Sequence, residues 1–366
     1  MDATEAGPAL AASASAAEFF DRLRASFDTA ARRAGGAREH GLAIGPWGVR
    51  VLFAGGELEP LMLPPLEHRR VAAPGEPAAT ICVWDSASTG LPVPSFNWRP
   101  RHVRERGVVD LEGFNDERFR TMYHGDLMAD DGGFQALSMY DAESRTAIFW
   151  VASSGHVHFW ERAEPLRPSL NWILDAPSRY FAHAACVGND EGAVLLAGKG
   201  GSGKTTTTMA SVEAGMKFLA DNYALISLEE GGPVAYSLYS NAKLLPRTVE
   251  LIPRLREVVD VREVAADEKL TVDIREHRPA QLVSGGLPVR ALVVPHVVGR
   301  GETRLVEISA VQALIALAPT TVLQLQNSAV VGRMADLART VPSYRLELGG
   351  DVEDGPRALQ GLLEEG

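Results

Sequence analysis

Cysteine is nearly missing from this chain: Cys82 and Cys186 are its two thiols, far apart and outside any CxxC spacing. That argues against a disulfide framework or a cysteine-built zinc cage and fits a reducing, cytoplasmic setting. Basic residues are in deficit, 36 Lys and Arg against 47 Asp and Glu, for a net charge of −11. A nucleic-acid-binding surface needs the opposite balance to displace counterions, so no nucleic-acid partner is expected. No window approaches the ~18 to 20 consecutive apolar residues of a membrane span. The opening "MDATEAGPALAASASAAEFF" places acids where a signal peptide needs positive charge. Neither membrane insertion nor export is expected.

What is present suggests two domains, because 366 residues exceed the usual single one. The 46 % hydrophobic and 23 % charged composition is that of a globular protein. Residues 1 to 15 are small and weakly patterned, a loose end. "AAEFFDRLRASFDTAARR" then has helical spacing, with Phe19, Leu23, Phe27 and Ala30 on one stripe. From 41 to about 160, short apolar runs alternate with Gly, Pro and Asp, as in "GVRVLFAGGE" and "ATICVWDSAS". "FQALSMYDAESRTAIFWVAS" reads as a hairpin turning at Asp141 to Arg145, and "LPVPSFNWRPRHV" as an irregular loop. Residues 1–165 are therefore expected to form a mainly β domain with a leading helix.

Residues 166–366 are expected to be α/β, a sheet with helices packed on it. "LRPSLNWILDAPS" is a short bridging helix in this reading. Strands fall at 181–187, 193–197 and 217–227, and helices at 203–214 and near 247–258. Later strands lie near "LTVDI", "RALVVPHVV", "TRLVEIS" and "VPSYRLELG", with a helix over "AVQALIALAPTTVLQL".

The stretch "GAVLLAGKGGSGKTTTTMASVEAG" carries the chemistry. "AVLLA" is an unalternating apolar run, as a strand buried on both faces requires. Gly198-Lys199-Gly200-Gly201-Ser202-Gly203-Lys204-Thr205 then fits GxxxxGK[ST] at every position. Glycines let successive backbone N–H groups turn inward around phosphates, in conformations a Cβ would oppose. The helix opening near Gly203 adds its positive end. Gly198, Gly200, Gly201, Ser202, Gly203, Lys204, Thr205 and Thr206 are the candidate ATP contacts. Lys204 is expected to reach the β- and γ-phosphates, and the Thr205 hydroxyl to bind Mg²⁺. Gly215 is placed to end the helix.

The residues flanking the loop resemble those of the HPr kinase/phosphorylase family and its wider serine-kinase relatives. His183 stands fifteen positions before Gly198, Gly215 eleven after Lys204, and Asp221 seventeen after Lys204, each where that family has His, Gly and the first of two Asp. The likeness is strongest over 180–228, weaker over "AYSLYSNAKLLP" and "DEKLTVDI", and absent from the first 165 residues. It lies nearer to the relatives found in peptide-biosynthesis clusters, some of which phosphorylate a serine of a lasso-peptide precursor, than to the sugar-transport regulator. The resemblance implies a P-loop, HPr-kinase-like fold for the second domain. It also implies an ATP- and Mg²⁺-dependent kinase acting on a serine of a peptide or protein, and it allows a homo-oligomer. Two departures stand out. The family's second Asp is Asn222 here, whose amide brings a dipole where Mg²⁺ would meet a charge. The family's later signature motif is not found, which leaves the phosphorylase half of the activity open.

On this reading Asp221, His183 and Lys204 are the candidate catalytic residues, and Thr205, Asp221 and Asn222 the candidate metal residues. Asp221 either accepts the proton of an attacking hydroxyl, holds Mg²⁺ through water, or is an acidic turn residue. His183, in "FAHAACV", either touches the transferred phosphate, orients Asp221, or is a satisfied core histidine. Asn222 either joins the metal shell or turns the backbone after the strand. Lys269 pairs with phosphate or with a carboxylate and Arg247 is a candidate anion clamp, or each is a solvated charge. His156 and His158 alternate, placing them on one face of an expected strand, but no third ligand stands at sensible spacing. Trp98, Trp150 and Trp160 are core or rim aromatics, or the lining of an acceptor groove. The alternative to a kinase is an ATP-binding regulator or scaffold with little turnover.

Overall fold

The computed structural model describes residues 15–72, 79–95, 100–103, 108–111, 115–125, 133–259, 269–325 and 328–365. The loose end at 1–14, Trp98, and Asp267 and Glu268 of "DEKLTVDI" lie outside these. Contacts divide the chain into two units. The first takes the described residues of Met1–His40, Arg50–Pro60 and Pro77–His158, and the second those of Gly41–Val49, Leu61–Glu76 and Phe159–Gly366. The division expected after residue 165 treats the chain as two consecutive pieces; the chain passes from one unit to the other at several points. Two excursions into the second unit have visible causes. Trp47 lies beneath the Arg179 guanidinium at 4.3 Å and edge-on to Tyr236 at 5.4 Å. Buried Arg69 donates to the carbonyls of Ser284 and Val283 at 2.6 and 3.1 Å.

The first unit opens with helix α1 (Ala16–Arg33), begun by a capping box in which Ser15 and Glu18 exchange backbone bonds at 2.8 and 3.2 Å. Its Phe19, Leu23, Phe27 and Ala30 stripe is buried against Cys82, Trp84, Leu137, Met139 and Ile148. The strands of the first sheet are β1 (Ala37–Ile44), β2 (Trp47–Ala54), β3 (Arg70–Val71), β4 (Ala79–Asp85), β5 (Pro100–Val103), β6 (Val108–Leu111), β7 (Phe119–Gly125), β8 (Gln135–Asp141) and β9 (Thr146–Val151). Their order is β3-β1-β2-β4-β9-β8-β7-β6-β5. Short helices α2 (Glu59–Met62) and α3 (Ser86–Thr89) interrupt them. The β8–β9 hairpin turns where expected: the N–H groups of Glu143 and Ser144 donate to the Asp141 carboxylate, and Arg145 takes φ 49°. Pro100–Val103, expected within an irregular loop, is strand β5.

In the second unit, α4 (Phe159–Ala163) and α5 (Arg167–Leu174) lead into β10 (Arg179–His183), β11 (Ala185–Gly188) and β12 (Ala193–Leu196). Helix α6 (Lys204–Glu213) follows, then β13 (Lys217–Ala220), β14 (Tyr223–Glu229), β15 (Gly232–Ser237) and β16 (Asn241–Leu244). After α7 (Pro246–Leu251) come β17 (Leu270–Asp273), α8 (Ile274–His277), β18 (Gly286–Val297) and β19 (Arg304–Glu307). The chain ends with α9 (Ala310–Leu325), α10 (Val330–Thr340), β20 (Ser343–Leu348) and α11 (Asp354–Glu365). The sheet runs β10-β14-β15-β18-β12-β11-β13, with β20 paired to β18 and β19 to β20, while β16 and β17 pair separately. Residues of β12 alternate between two cores: Ala193 and Leu195 face Leu317, Met334 and Leu337, whereas Val194 and Leu196 face Leu359 and Leu363. Burial on both faces is why this strand reads as unbroken apolar text.

Two expected strands are each broken in two. The span 181–187 divides between β10 and β11 at Ala184, and 217–227 divides between β13 and β14 at Asp221-Asn222. The breaks face each other, since His183 pairs with Tyr223 on one side and Cys186 with Ala220 on the other. Asn222 takes φ 98°, which extended backbone cannot accommodate and which Asn tolerates better than most residues. Asp221 follows β13, which is separated from the loop-bearing β12 by β11, because β11 pairs with both. The helix expected at 247–258 stops at Leu251, where Pro253 lacks the N–H to continue it, and a 3₁₀ turn follows over Pro253–Glu257. His156 and His158 do not share a strand face: β9 ends at Val151 and Ser154–His156 is a 3₁₀ turn.

Candidate functional site

The loop between β12 and α6 bends where its glycines allow. Gly198, Gly201 and Gly203 lie at φ 147°, 78° and 103°. A Cβ at Gly203 would also stand 2.8 Å from Leu348 Cδ1, and one at Gly198 would stand 2.8 Å from Ser202 Oγ. The positive φ is what disfavours a side chain at both positions, since Leu348 and Ser202 could swing aside. Gly200 has open space around it, so neither argument applies there. Ser202 donates its N–H to the Lys199 carbonyl at 3.3 Å, and its hydroxyl is enclosed without a partner among the described residues. At the far end of α6 the N–H of Met216 returns to Ser211 O at 2.9 Å and that of Gly215 to Val212 O at 3.0 Å, with Gly215 at φ 94°. That left-handed cap ends the helix as the sequence suggested.

Lys204 is buried, and its Nζ donates back to the carbonyls of Gly198 at 2.5 Å and Lys199 at 3.2 Å. Burial lowers its pKa, and the nearby Asp221 carboxylate opposes that shift. The Thr205 hydroxyl donates to Asp221, 3.0 Å from Oδ1 and 3.2 Å from Oδ2. The Lys243 backbone N–H donates to Asp221 Oδ2 at 3.1 Å. Burial pushes the Asp221 pKa up, while those hydrogen bonds and the charges of Lys269 and Lys243 hold it back. The Thr206 hydroxyl is engaged by Thr248 at 3.1 Å.

His183 ends β10 with its ring 5.2 Å from that of Tyr223. Its Nδ1 is enclosed and without a partner among the described residues. Burial first, then the charges of Lys204, Lys243, Arg167 and Lys269, push its pKa down to about 3. Four cations therefore act on one neutral imidazole. Lys269 is half-buried and belongs to this group electrostatically, whereas Arg247 is an exposed charge at the start of α7. Trp150 is a core aromatic whose Nε1–H donates to Ser86 Oγ at 2.8 Å, and Trp160 packs against Phe159 at 5.5 Å. Among the described residues no group of His, Cys, Asp and Glu has the arrangement of a metal cage. Cys82 and Cys186 are buried free thiols whose pKa values burial raises.

Sequence reasoning missed the charges behind Asn222. Asn222 Nδ2 donates to Glu164 Oε1 at 3.1 Å, and Lys243 Nζ reaches the same oxygen at 2.7 Å. Arg167 stands 3.7 Å from Glu164 Oε2 and donates to the Tyr223 hydroxyl at 2.6 Å. Glu164, Asn222 and Asp221 are each at least nine-tenths buried. Buried Glu161 accepts the Leu166 N–H at 3.0 Å, and burial pushes its pKa up to about 7. The available signals were local: a lysine in the small apolar strand "SNAKL", and Glu161, Glu164 and Arg167 at three-residue spacing.

No protein-family model and no curated protein matches this chain. Among solved structures it is similar to the Hpr(Ser) kinase/phosphatase from Coxiella burnetii, at 12 % identity and a TM-score of 0.31. That match covers 50 % of this chain and 88 % of the other. At such similarity, function has to be argued from the residues of the site. Among the described residues no helix is long and apolar enough to cross a membrane.

Proposed function

We propose that this chain is an ATP-dependent phosphotransferase whose acceptor is a hydroxyl, in the first place a serine of a peptide or protein. The observation that carries the reading is the Thr205 hydroxyl on the Asp221 carboxylate at 3.0 and 3.2 Å, at the end of a loop bent by three left-handed glycines. ATP·Mg²⁺ fits these residues. The loop disfavours a Cβ at Gly198 and Gly203, and Lys204, Lys243, Arg167 and Lys269 supply the countercharge a triphosphate demands. Thr205, Asp221 and Asn222 offer the hard oxygen donors Mg²⁺ prefers and would hold it. Bound there, Mg²⁺ would neutralise charge on the phosphate oxygens.

The chain's own residues divide the remaining work. Lys204 binds the phosphates, with burial strengthening its charge interaction. Asp221, held by Thr205 and the Lys243 N–H, accepts the proton as the acceptor oxygen bonds to the γ-phosphorus and the bond to the ADP oxygen breaks. Burial raises its basicity for that task. His183, kept neutral among cations, offers Nδ1 to the transferred group. The serine preference rests on the His183, Gly215 and Asp221 spacing shared with the HPr-kinase-like family.

A slow ATP-binding regulator is the second reading, favoured by one feature: position 222 carries an amide tied to Glu164 rather than a second acid. The experiment is acceptor-dependent ADP release, with intact-mass analysis of candidate peptides after incubation with ATP and Mg²⁺. A gain of one phosphate and faster ADP release supports the kinase. Slow release regardless of acceptor overturns it in favour of the regulator.

A further inference from the structure

Asn222 is more than a weakened copy of an acid. Its Nδ2 donates to Glu164 Oε1, and the oxygen that receives it also receives the Lys243 ammonium. An ionised carboxylate has lone pairs and no proton to give, so Glu164 requires donors on every side. That requirement also settles the orientation of the amide: nitrogen faces Glu164, and among the described residues no group donates to Oδ1.

Glu164 is held rigidly for this purpose. It sits between the end of α4 and Leu166, whose backbone is left-handed at φ 58° and whose N–H is taken by Glu161. The Tyr239 hydroxyl donates to Pro165 O at 3.0 Å, and Asn241 Nδ2 reaches Ala163 O at 3.5 Å. The preceding helix and the 239–241 segment therefore both hold the turn that presents this carboxylate. Lys243 completes the link, its backbone N–H on Asp221 and its ammonium on Glu164.

We infer that Glu164 carries, from outside the Asp221-Asn222 pair, the carboxylate charge that a two-acid site would place at 222, and that it positions the Asn222 amide with Oδ1 left for the ligand side. The orientation toward a ligand rests on the proposed phosphotransferase reading; the Glu164–Asn222 charge pairing does not. Glu164 is a positioning residue and touches no reacting atom. An aspartate at 222 would oppose two acceptor-only groups across a hydrogen-bond distance, and Glu164→Gln would leave the Lys243 ammonium without its carboxylate. Exchanging both restores one carboxylate, one ammonium and one amide, with the glutamine amide at 164 donating to the aspartate introduced at 222.

The experiment compares wild type, Asn222→Asp, Glu164→Gln and the double exchange by thermal unfolding without nucleotide, then again with ATP and Mg²⁺. Each single substitution should lower the nucleotide-free Tm by about 5 °C or more, a shift typical of a lost buried partner. The double exchange should recover to within about 2 °C of wild type, the non-additivity expected of contacting groups. A double-exchange loss equal to the sum of the two single losses would overturn the pairing. So would singles that melt like wild type. Where a single variant fails to fold, folding of the double exchange alone supports the proposal and its failure to fold refutes it.

The ATP·Mg²⁺ increment separates the two layers. If wild type shows none, the phosphotransferase reading fails while nucleotide-free rescue still supports the charge pairing. If wild type shows one and the double exchange recovers nucleotide-free stability with the same increment, the ligand does not sense the group at 222 and that half of the inference is wrong. Recovered nucleotide-free stability with an altered increment supports the whole.

Discussion

The loop at 198–205 and the cluster around Glu164 belong to one unit but are built in opposite ways. The loop is eight consecutive residues, shaped by backbone torsions and by the absence of Cβ atoms. Apart from the Thr205 hydroxyl on Asp221, its hydrogen bonds are local, with Lys204 turned back onto carbonyls five and six residues away. The cluster draws Glu164, Arg167, Asn222, Tyr223 and Lys243 from three segments, and its shape comes from charged side chains paired out of water. The difference teaches where each is vulnerable. A loop made of backbone can lose a side chain and keep its fold while losing its ligand. A buried ionic cluster cannot lose one partner without stranding the other.

Lys204→Ala gives the largest effect and tests the first half of that contrast. Phosphoryl transfer should be abolished and ATP binding weakened, because the β/γ charge loses its countercharge in a buried site. Nucleotide-free stability should change little. Thermal shift with and without ATP·Mg²⁺ separates the outcomes; a full shift with full activity would remove the nucleotide assignment. Asp221→Asn is next. It should leave nucleotide binding largely intact and cut turnover by about 10²-fold or more, the scale of a lost general base. A loss confined to ATP affinity would make Asp221 a structural or metal anchor only.

The contrast also explains what could be read in advance. The loop was legible because its physics is contained in eight adjacent residues, and Gly215 because a helix end needs a local left-handed residue. The burial of β12 was legible because two-sided packing leaves unalternating apolar text. The strand breaks at Ala184 and Asp221-Asn222 were not, since either half alone reads as continuous strand and only the positive φ at Asn222 ends the ladder. Glu164 and Lys243 were invisible for another reason. Each looks like an ordinary solvated charge until folding brings them 2.7 Å apart.

Lys243→Met sharpens the second half of the contrast. The methionine fills most of the volume but leaves Glu164 with the more distant Arg167 as its remaining cation. Breaking a buried pair in this way costs about 3 kcal/mol, read as a lower urea midpoint without nucleotide. A variant as stable as wild type would show that water reaches Glu164, and the cluster would then be no more than a surface ion pair.

His183 gives the smallest effect at neutral pH and tests whether loop and cluster share one field. Its pKa is pushed down to about 3 by burial and by cations from both, Lys204 of the loop and Lys243 and Arg167 of the cluster. Half-buried His68 is likewise held at about 3, by burial and then by Arg69 and Arg275, and it hydrogen-bonds Ser237 at 3.0 Å. Both values lie below the ordinary 6.5, so the native state refuses protons that the unfolded chain accepts. Their contribution is intact above about pH 6.5 and is lost as pH falls toward about 3, each histidine steepening the loss by up to about 1.4 kcal/mol per pH unit. Urea unfolding of wild type, His183→Asn and His68→Asn at pH 7.5, 6 and 5 isolates each share. His183→Asn should match wild type in pH dependence above pH 7 and lose stability more slowly by about 1 kcal/mol per unit below 6. His68→Asn should do the same, which makes it the control for burial among different cations. Parallel curves for wild type and His183→Asn would mean that His183 takes up its proton normally in the fold. The cations of loop and cluster would then not converge on it, and the two regions would be neighbours without a common field.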